Sequence, residues 1–516
     1  MRQSAYLLPA VPLLLGGAVG QECPDYLDYA TQRHEPFTNG TYQLPFQRPS
    51  PACRTFNSSG VEQVVDRMEG VIADPDLYRL FENAYPNTLD TAIKWKGVAA
   101  NNSEEELTFI ITGDINAMWL RDSANQMQSY LPVLNASDSP DSIASLYRGV
   151  INLQARYLLT SPYCNSFQPP VESGIAPDTN PSASEDTVKP SYSNTSVFEC
   201  KYELDSLAAF LEVSDNYYNA TQDLDFFGKF QWISAIQAVM KVAKDMQTPT
   251  YGADGQVLDS PYTFTRLTTR ATETLANDGL GNPVNNGTGL IRSAFRPSDD
   301  STIFQLFIPA NMMFARYLET ASAIMGQLDN APAGLAQEMA ALATSVRAAI
   351  EQHGVVAGPN GKRVYAFEVD GYGSANLMDD ANIPSLLAAP FLGYTDASNE
   401  VYQNTRELVL SAGNPYFMRG PVINAVGGPH AGPGMAWPMA NIVRILTTDD
   451  EAEIVAALKE IVSSTDGLGL IHESINSWNE SDWTRQWFSW ANGLFGQMIL
   501  DLEERKPEIL GLSFQE

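Results

Sequence analysis

Apolar residues recur at steps of three and four along much of the chain, and this spacing places them on one face of an α-helix. The clearest examples are Ile233, Ile236, Met240 and Ala243; Leu335, Met339, Leu342, Val346 and Ile350; and Ile454, Leu458, Ile461 and Val462. Gly354 and Gly467 follow two of these segments as stops, and Asp449 and Asp450 open the third. Strand signals are few and short, such as Val364 to Val369. The pattern predicts an all-α fold.

Long connections rich in Gly, Pro, Asp and aromatic residues separate the predicted helices, which suggests that the loops of an all-α body carry the chemistry. Only the segment 167–195 has the Pro- and Ser-rich composition of a linker, and Cys164 and Cys200 bracket it. We interpret it as a loop closed by a disulfide. Residues 21–516 are therefore expected to form a single domain, although a chain of this length commonly contains more.

The first 20 residues have the pattern of a signal peptide, with Arg2 near the start, an apolar run from Leu7 to Leu15 and small residues at Ala18 and Gly20. Eight N-glycosylation sequons support passage through a glycosylating compartment. They are at Asn39, Asn57, Asn101, Asn135, Asn194, Asn219, Asn286 and Asn479. The sequence therefore predicts a secreted, extracellular glycoprotein.

Four cysteines in an oxidising compartment can pair in three ways. We favour Cys23 with Cys53 and Cys164 with Cys200, because both pairings close short, local loops. All four lie in the first 200 residues, so the rest of the fold must be held by its own core.

The chain has 61 acidic and 31 basic residues and a net charge of -30. This charge would repel nucleic acid and anionic membranes but does not affect a neutral sugar. No apolar run reaches the roughly 18 residues that a membrane-spanning helix needs. We expect a soluble monomer that binds neither nucleic acid nor membranes.

Four loop-like clusters combine carboxylates with arginine, histidine and aromatic residues: GDINAMWLRD (113–122), FRPSDD (295–300), GGPHAGPGMAW (427–437) and IHESINSW (471–478). Aromatic rings stack on the apolar faces of sugars, and polar side chains bind the hydroxyl groups. Cleavage of a glycosidic bond needs two carboxyl groups. The composition therefore favours a glycosidase.

Other chemistries fit poorly. The histidines His34, His353, His430 and His472 lie far apart in sequence, and no zincin motif, GxSxG elbow, Walker loop or dinucleotide-binding glycine motif is present. We expect no metal and no organic cofactor.

The segments GDINAMWLRDSANQ, FRPSDDSTIFQLFIPANMMF, NLMDDANIPSLL, GGPHAGPGMAWPMA and IHESINSWNESDWTRQWFSWANGLFG resemble the motifs of glycoside hydrolase family 125. The resemblance spans Asp114 to Gly496 and implies an (α/α)6 toroid with long functional loops. It also implies an exo-acting, inverting α-mannosidase that prefers α-1,6 linkages and needs no cofactor. By motif, Asp300 matches the general acid and Glu473 the general base.

The residues themselves allow more than one interpretation of the acid. Asp299 and Asp300 precede the apolar run Ile303, Phe304, Leu306 and Phe307, so they could simply cap a helix. One carboxylate could also raise the pKa of the other and keep it protonated. Whether Asp299 or Asp300 is the acid stays open at this stage.

Further residues of the same clusters are candidates for binding the sugar. They are Trp119, Arg121, Asp122, Arg296, Asp299, Asp379, Asp380, His430, His472 and Trp478. Arg121 and Asp122 could instead form a structural ion pair, and His430 could be a turn residue. Trp483, Trp487 and Trp490 recur at helical steps and are assigned mainly to packing.

The predicted substrate is a mannose-containing oligosaccharide, such as an N-glycan or a mannan. Two rivals are a lectin-like protein that kept the fold without the chemistry, and an inverting glucosidase of the same toroid type. Release of mannose from a synthetic α-mannoside would separate these possibilities.

Overall fold

A computed structural model of the protein describes residues 23–515, so the predicted signal peptide lies outside the described residues. Helices dominate this region. The α-helices are α1 Tyr26–Tyr29, α2 Ser59–Glu69, α3 Pro75–Ala84, α4 Asn87–Thr91, α5 Leu120–Gln128, α6 Ile143–Thr160, α7 Leu204–Thr221, α8 Leu224–Lys229, α9 Trp232–Asp245, α10 Ile308–Met325, α11 Leu335–Ala349, α12 Glu400–Val409, α13 Pro438–Leu446, α14 Glu451–Ser463, α15 Ser489–Arg505 and α16 Pro507–Leu510.

The three helices predicted from periodicity are confirmed as α9, α11 and α14. Asp450 caps α14, because its carboxylate accepts hydrogen bonds from the backbone N–H groups of Ala452 and Glu453. Helix α11 continues into a short π-helical turn, Ile350–Gly354, before the chain turns away. The apolar face of each of these helices is buried, as the spacing requires.

The strands are short and pair in small antiparallel sheets. They are β1 Ile93–Ala99, β2 Asn102–Ile110, β3 Met118–Trp119, β4 Ser166–Phe167, β5 Thr187–Lys189, β6 Val197–Glu199, β7 Thr263–Thr265, β8 Leu306–Phe307, β9 Val355–Ala357, β10 Arg363–Tyr365, β11 Glu368–Val369, β12 Ala375–Asn376, β13 Phe417–Met418, β14 Ala425–Val426, β15 Met435–Ala436, β16 Ile475–Asn476 and β17 Asn479–Trp483.

The single strand predicted from Val364 to Val369 is divided in the structure. β10 pairs with β9, whereas β11 lies between β8 and β12 in another sheet. Ala366 and Phe367, between the two strands, are fully buried. Apart from Glu368 the run is apolar, and all of it is buried, so its hydrophobicity did not reveal the break.

Two helical predictions near the candidate site are wrong. The helix expected just after Asp300 begins only at Ile308, because Leu306 and Phe307 pair with β11 as a strand. The tryptophan stripe is not helical either: Trp483 ends β17, Trp487 lies in a loop, and only Trp490 belongs to α15.

Two of the most buried helices begin at the sequence clusters that carry polar residues: α5 within the cluster 113–122 and α13 directly after the cluster 427–437. All nine residues of α5 are buried, and α5 follows β3 without a break. Helix α13 follows β15 closely in the same way. Helix α5 packs against α7 and α15, α7 packs against α10, and α13 packs against α15. The starts of these central helices therefore hold side chains from distant parts of the sequence in fixed positions.

Both predicted disulfides are present. The Cα atoms of Cys23 and Cys53 are 5.4 Å apart, and those of Cys164 and Cys200 are 4.0 Å apart. The second disulfide closes the predicted loop, which contributes β5 to a sheet with β7. Across residues 23–515, no helix has the length and apolar character that crossing a membrane requires.

Candidate active site

A cavity of about 300 Å³ brings all four sequence clusters together. Its lining includes Trp119, Asp299, His430 and Glu473, one residue from each cluster. Further aromatic walls come from Phe198, Trp437, Phe488 and Trp490. A small cavity that combines carboxylates with aromatic rings suits a sugar ring, whose faces are apolar and whose rim is polar.

Asp299 faces this cavity and is held in an unusual backbone conformation. Its φ angle is +64°, a left-handed value that is uncommon for any residue other than glycine. Its Oδ1 accepts hydrogen bonds from Trp119 Nε1 at 3.2 Å and from Asn165 Nδ2 at 2.7 Å. A strained backbone fixed by such contacts is typical of functional sites.

Asp300 lies beside the cavity but does not line it. Its side chain is buried, and its Oδ2 accepts a hydrogen bond from Ser298 Oγ at 3.0 Å and lies 3.5 Å from His430 Nδ1. Burial raises the pKa of Asp300, but the hydrogen bond and charge of His430 outweigh it and lower this pKa overall. The same pair raises the pKa of His430 to about 9, although burial alone would lower it.

Arg121 is the centre of a buried carboxylate cluster. Its Nη1 donates to Glu203 Oε2 at 2.6 Å and to Asp205 Oδ2 at 3.1 Å. Its Nη2 lies 3.5 Å from Asp122 Oδ2 and 3.9 Å from Asp299 Oδ2. Burial raises the pKa values of Asp122 and Asp205 to about 6, against the opposing charge of Arg121. One guanidinium therefore faces four carboxyl groups.

Glu473 enters the cavity from another direction. Its Oε2 accepts a hydrogen bond from Thr484 Oγ1 at 2.8 Å, and its Oε1 lies 3.5 Å from Arg485 Nε. Arg485 Nη1 also lies 3.2 Å from Asp114 Oδ1. Burial raises the pKa of Asp114. Arg485 and Thr484 fix the position of Glu473, which lines the cavity.

Trp119, Arg121, Asp122, Asp299, His430 and Glu473 are the predicted site residues that line the cavity. Asp300 and five other candidates do not. Arg296 is buried in an ion pair with Glu368, at 2.6 Å between Nε and Oε1. Asp379 accepts hydrogen bonds from the backbone N–H groups of Leu386 and Leu387, and burial raises its pKa to about 7. These two residues are placed to support the loops around the cavity.

The other three candidates also lie outside the lining. Asp380 is buried and accepts from the backbone and side chain of Asn382, and burial raises its pKa to about 6. His472 stacks on Trp483 with 4.8 Å between ring centroids, and burial lowers its pKa. The indole of Trp478 is 73% exposed and donates to the carbonyl of Arg419 at 3.1 Å.

Sequence reasoning missed several residues of the site. Lys201, Glu203 and Asp205 follow Cys200 in the segment CKYELD, which resembles the start of an ordinary helix. Arg485 and Trp437 lie inside the family motifs, and this is the sequence signal that points to them. Among residues 23–515, no group of three or more His, Cys, Asp or Glu side chains is arranged to hold a metal ion.

A helix-rich body whose loops surround a pocket of carboxylates and aromatic rings is the arrangement expected of a glycoside hydrolase. Residues 74–500 match the family described as metal-independent alpha-mannosidase, GH125. The chain therefore belongs to glycoside hydrolase family 125, which confirms the resemblance drawn from the motifs.

The chain is also similar to two other proteins. The chain is 47% identical over 490 residues to the meiotically up-regulated gene 157 protein of Schizosaccharomyces pombe, covering 95% of this chain and 94% of that protein. It is 32% identical to a solved metal-independent α-mannosidase of Streptococcus pneumoniae in a non-productive complex with α-1,6-mannobiose. That comparison has a TM-score of 0.76 and covers 87% of this chain and 99% of the other.

Proposed function

We propose that this protein is an exo-acting α-mannosidase that removes terminal, non-reducing α-1,6-linked mannose with inversion of configuration. The observation that carries the proposal is one small cavity lined by both Asp299 and Glu473 in a member of a mannosidase family. The linkage follows from the bacterial relative, whose complex contains α-1,6-mannobiose. The substrate class is a mannose-containing oligosaccharide, such as an N-glycan or a mannan.

Asp299, rather than Asp300, is the general acid in this proposal. Asp299 lines the cavity, whereas Asp300 is nearly completely buried and turned towards Ser298 and His430. A group that protonates the glycosidic oxygen must come within hydrogen-bonding distance of it. Asp300 then acts on the site indirectly, because its charge holds His430 in the cavity wall.

Glu473 is the general base that activates the attacking water. Thr484 and Arg485 leave its carboxylate facing the cavity. In an inverting enzyme the two carboxyl groups are separated by about 6.5 to 9.5 Å, which leaves room for the water. Water attacks the anomeric carbon from the face opposite the leaving oxygen, and Glu473 accepts its proton.

The remaining polar lining residues bind the hydroxyl groups of the terminal mannose. Asp122 and His430 supply hydrogen-bonding groups at the cavity surface, and Trp119 and Trp437 supply aromatic faces. Arg121 is buried behind Asp122 and Asp299, so it orients these carboxylates as well as reaching the cavity.

Proton NMR during hydrolysis of α-1,6-mannobiose tests substrate, reaction and stereochemistry together. The first-formed product should be β-mannose, because a single displacement inverts the anomeric centre. Initial appearance of α-mannose would require a retaining mechanism and would make Glu473 a nucleophile. Absence of any mannose release would refute the proposed activity.

Leaving-group dependence tests the two carboxylate roles. Asp299→Asn should lose more activity on mannobiose than on an aryl mannoside with a good leaving group, because an activated leaving group needs less protonation. Glu473→Gln should lose about 10²- to 10⁴-fold on both substrates. Asp300→Asn is the matched variant one residue away. If it alone shows the leaving-group dependence, the motif-based assignment of Asp300 is right and the present one is wrong.

The helices are proposed to form an (α/α)6 toroid in one catalytic domain. The contacts of α5 with α7 and α15, of α7 with α10, and of α13 with α15 are those expected along an inner ring. Helices α6, α11 and α14 pack against α7, α10 and α13 respectively, as an outer ring would. A crystal structure in which these helices do not alternate around one axis would refute this arrangement.

Secretion as a glycoprotein and a monomeric state also belong to the proposal. All eight sequon asparagines are exposed, so each is accessible to a glycan. Expression in a eukaryotic host should yield protein in the medium whose mass falls on enzymatic removal of N-glycans and whose N-terminus lies near residue 21. Retention in the cell with an intact N-terminus would contradict secretion, and light scattering of the purified protein reports the oligomeric state.

A further inference from the structure

A buried carboxyl group stands directly behind the proposed acid. The amide of Asn165 donates from Nδ2 to Glu203 Oε1 at 3.1 Å and to Asp299 Oδ1 at 2.7 Å. One amide nitrogen therefore holds the buried carboxyl group of Glu203 next to that of Asp299. Ionised carboxylates only accept hydrogen bonds, so two neighbouring carboxyl groups can donate to one another only when one of them carries a proton.

The surrounding charges favour a proton in this cluster. The side chain of Glu203 is fully buried. Arg121 pairs with Glu203 and also with the carboxyl groups of Asp122, Asp205 and Asp299. Buried carboxylates that exceed the available positive charge take up protons rather than remain ionised. Arg121 and Ser206 both donate to Glu203 Oε2, at 2.6 and 3.1 Å, so the anion of Glu203 is also stabilised when the proton leaves.

We propose that Glu203 is a positioning residue that shares one proton with Asp299 and holds this proton until Asp299 passes it to the glycosidic oxygen. The proposal rests on the function proposed above and on Asp299 as the acid. Glu203 itself does not line the cavity and acts through Asp299.

Asp299 donates a proton to the glycosidic oxygen, the bond from that oxygen to the anomeric carbon breaks, and the oxygen keeps the electron pair. Water forms the new bond to carbon, and its proton goes to Glu473. Glu203 supplies its proton to Asp299 during the transfer, and its anion remains bound by Arg121. Glu473 then releases a proton to solvent, and the Glu203–Asp299 pair takes one up.

Burial raises the pKa of Glu203 well above its ordinary value. For Asp299, burial raises the pKa, but the charges of Arg121 and Lys201 and the hydrogen bond from Glu203 lower it overall. In the resting enzyme the proton therefore resides mainly on Glu203. The other charged groups facing the pair are Asp122 at the start of α5, Asp205 in α7, His430 in the opposite loop and Arg485 beside Glu473.

The test is the pH profile of kcat/KM for Glu203→Gln. Glutamine keeps the size of Glu203 and an acceptor for Arg121 but carries neither the shared proton nor a negative charge. Asp299 should then lose its proton more readily, so the alkaline limb should move to lower pH by about one unit or more. At neutral pH, kcat of Glu203→Gln should fall more on mannobiose than on an activated aryl mannoside, and KM should change little.

Two further variants separate this role from a merely structural one. Asp205→Asn also removes a carboxylate that pairs with Arg121, but it leaves the Asn165 bridge between Glu203 and Asp299 intact. The alkaline limb of its pH profile should therefore move less. Glu203→Asp retains a carboxyl group and should keep the alkaline limb near the wild-type position even if kcat falls. It also provides the test if Glu203→Gln does not fold.

Several outcomes would overturn the inference. They are an unmoved alkaline limb in Glu203→Gln, an equal shift in Asp205→Asn, or a Glu203→Asp profile displaced as far as that of Glu203→Gln. Failure of the proposed function is distinct, because the wild type would then release no mannose from either substrate. If the wild type is active and only the profile predictions fail, the role of Glu203 alone is wrong.

Discussion

The loop that carries both aspartates is held by one buried carboxylate, and this gives a prediction about stability. Glu368 Oε1 accepts from Arg296 Nε at 2.6 Å, and its Oε2 accepts from the backbone N–H groups of Ile303 and Phe304 at 3.1 and 3.2 Å. Glu368 therefore fastens both ends of the segment 296–304. The side chains of Arg296 and Glu368 are only 2% and 0% exposed.

Arg296→Met keeps the apolar stem of the side chain but leaves Glu368 as an uncompensated buried charge. Removing one partner of a buried ion pair costs about 3 to 5 kcal/mol. The double variant Arg296→Met/Glu368→Gln should recover part of this loss, because the charge is gone while an oxygen remains for the two backbone N–H groups. Mannosidase activity of the single variant should also fall, since a displacement of about 1 Å at a catalytic group can cost about 10²-fold.

Urea unfolding followed by tryptophan fluorescence, together with aryl mannoside hydrolysis, measures both effects. Arg347→Met is the matched control, because Arg347 pairs with Glu319 at 3.3 Å on the surface, with 32% and 60% of their side chains exposed. Exposed pairs of this kind are worth about 0 to 1 kcal/mol. If Arg296→Met is no less stable than Arg347→Met, or the double variant is no more stable than the single one, the reasoning is refuted.

Three other predictions concern cofactors, pH and the exposed tryptophan. Treatment with EDTA should leave mannosidase activity intact, and activity that is lost and then restored by calcium or zinc would contradict the metal-free mechanism. Because the pKa of His430 is raised to about 9 from an ordinary value of 6.5, its pairing with Asp300 stabilises the fold fully below about pH 6.5 and is lost as pH rises through 9. His430→Gln should therefore reduce the decline in unfolding free energy between these pH values, and an unchanged decline would show that other groups cause it. Trp478→Ala should leave kcat/KM on mannobiose unchanged, whereas Trp437→Ala should lower it; equal losses would place Trp478 in the substrate path.

Local patterns predicted the elements that depend on nearby residues. The periodicity of α9, α11 and α14 identified these helices, and Asp450 was found as a cap, because both signals involve residues within a few positions of one another. The disulfide pairings followed from short sequence separations of 30 and 36 residues. Motifs in a fixed order were sufficient to identify the family.

The sequence by itself therefore determined the helical character of the chain and its family, favoured the correct disulfides, and identified four clusters that line the cavity. Only the tertiary structure decided which of two neighbouring aspartates faces the cavity. It also showed that Arg296 and Trp478 do not line the cavity. Asp299 is turned towards the cavity by a left-handed backbone and held by Asn165, which lies 134 positions away in the chain. Glu203 gives no signal in the sequence, because its protonation depends on burial and on charges that only folding brings together.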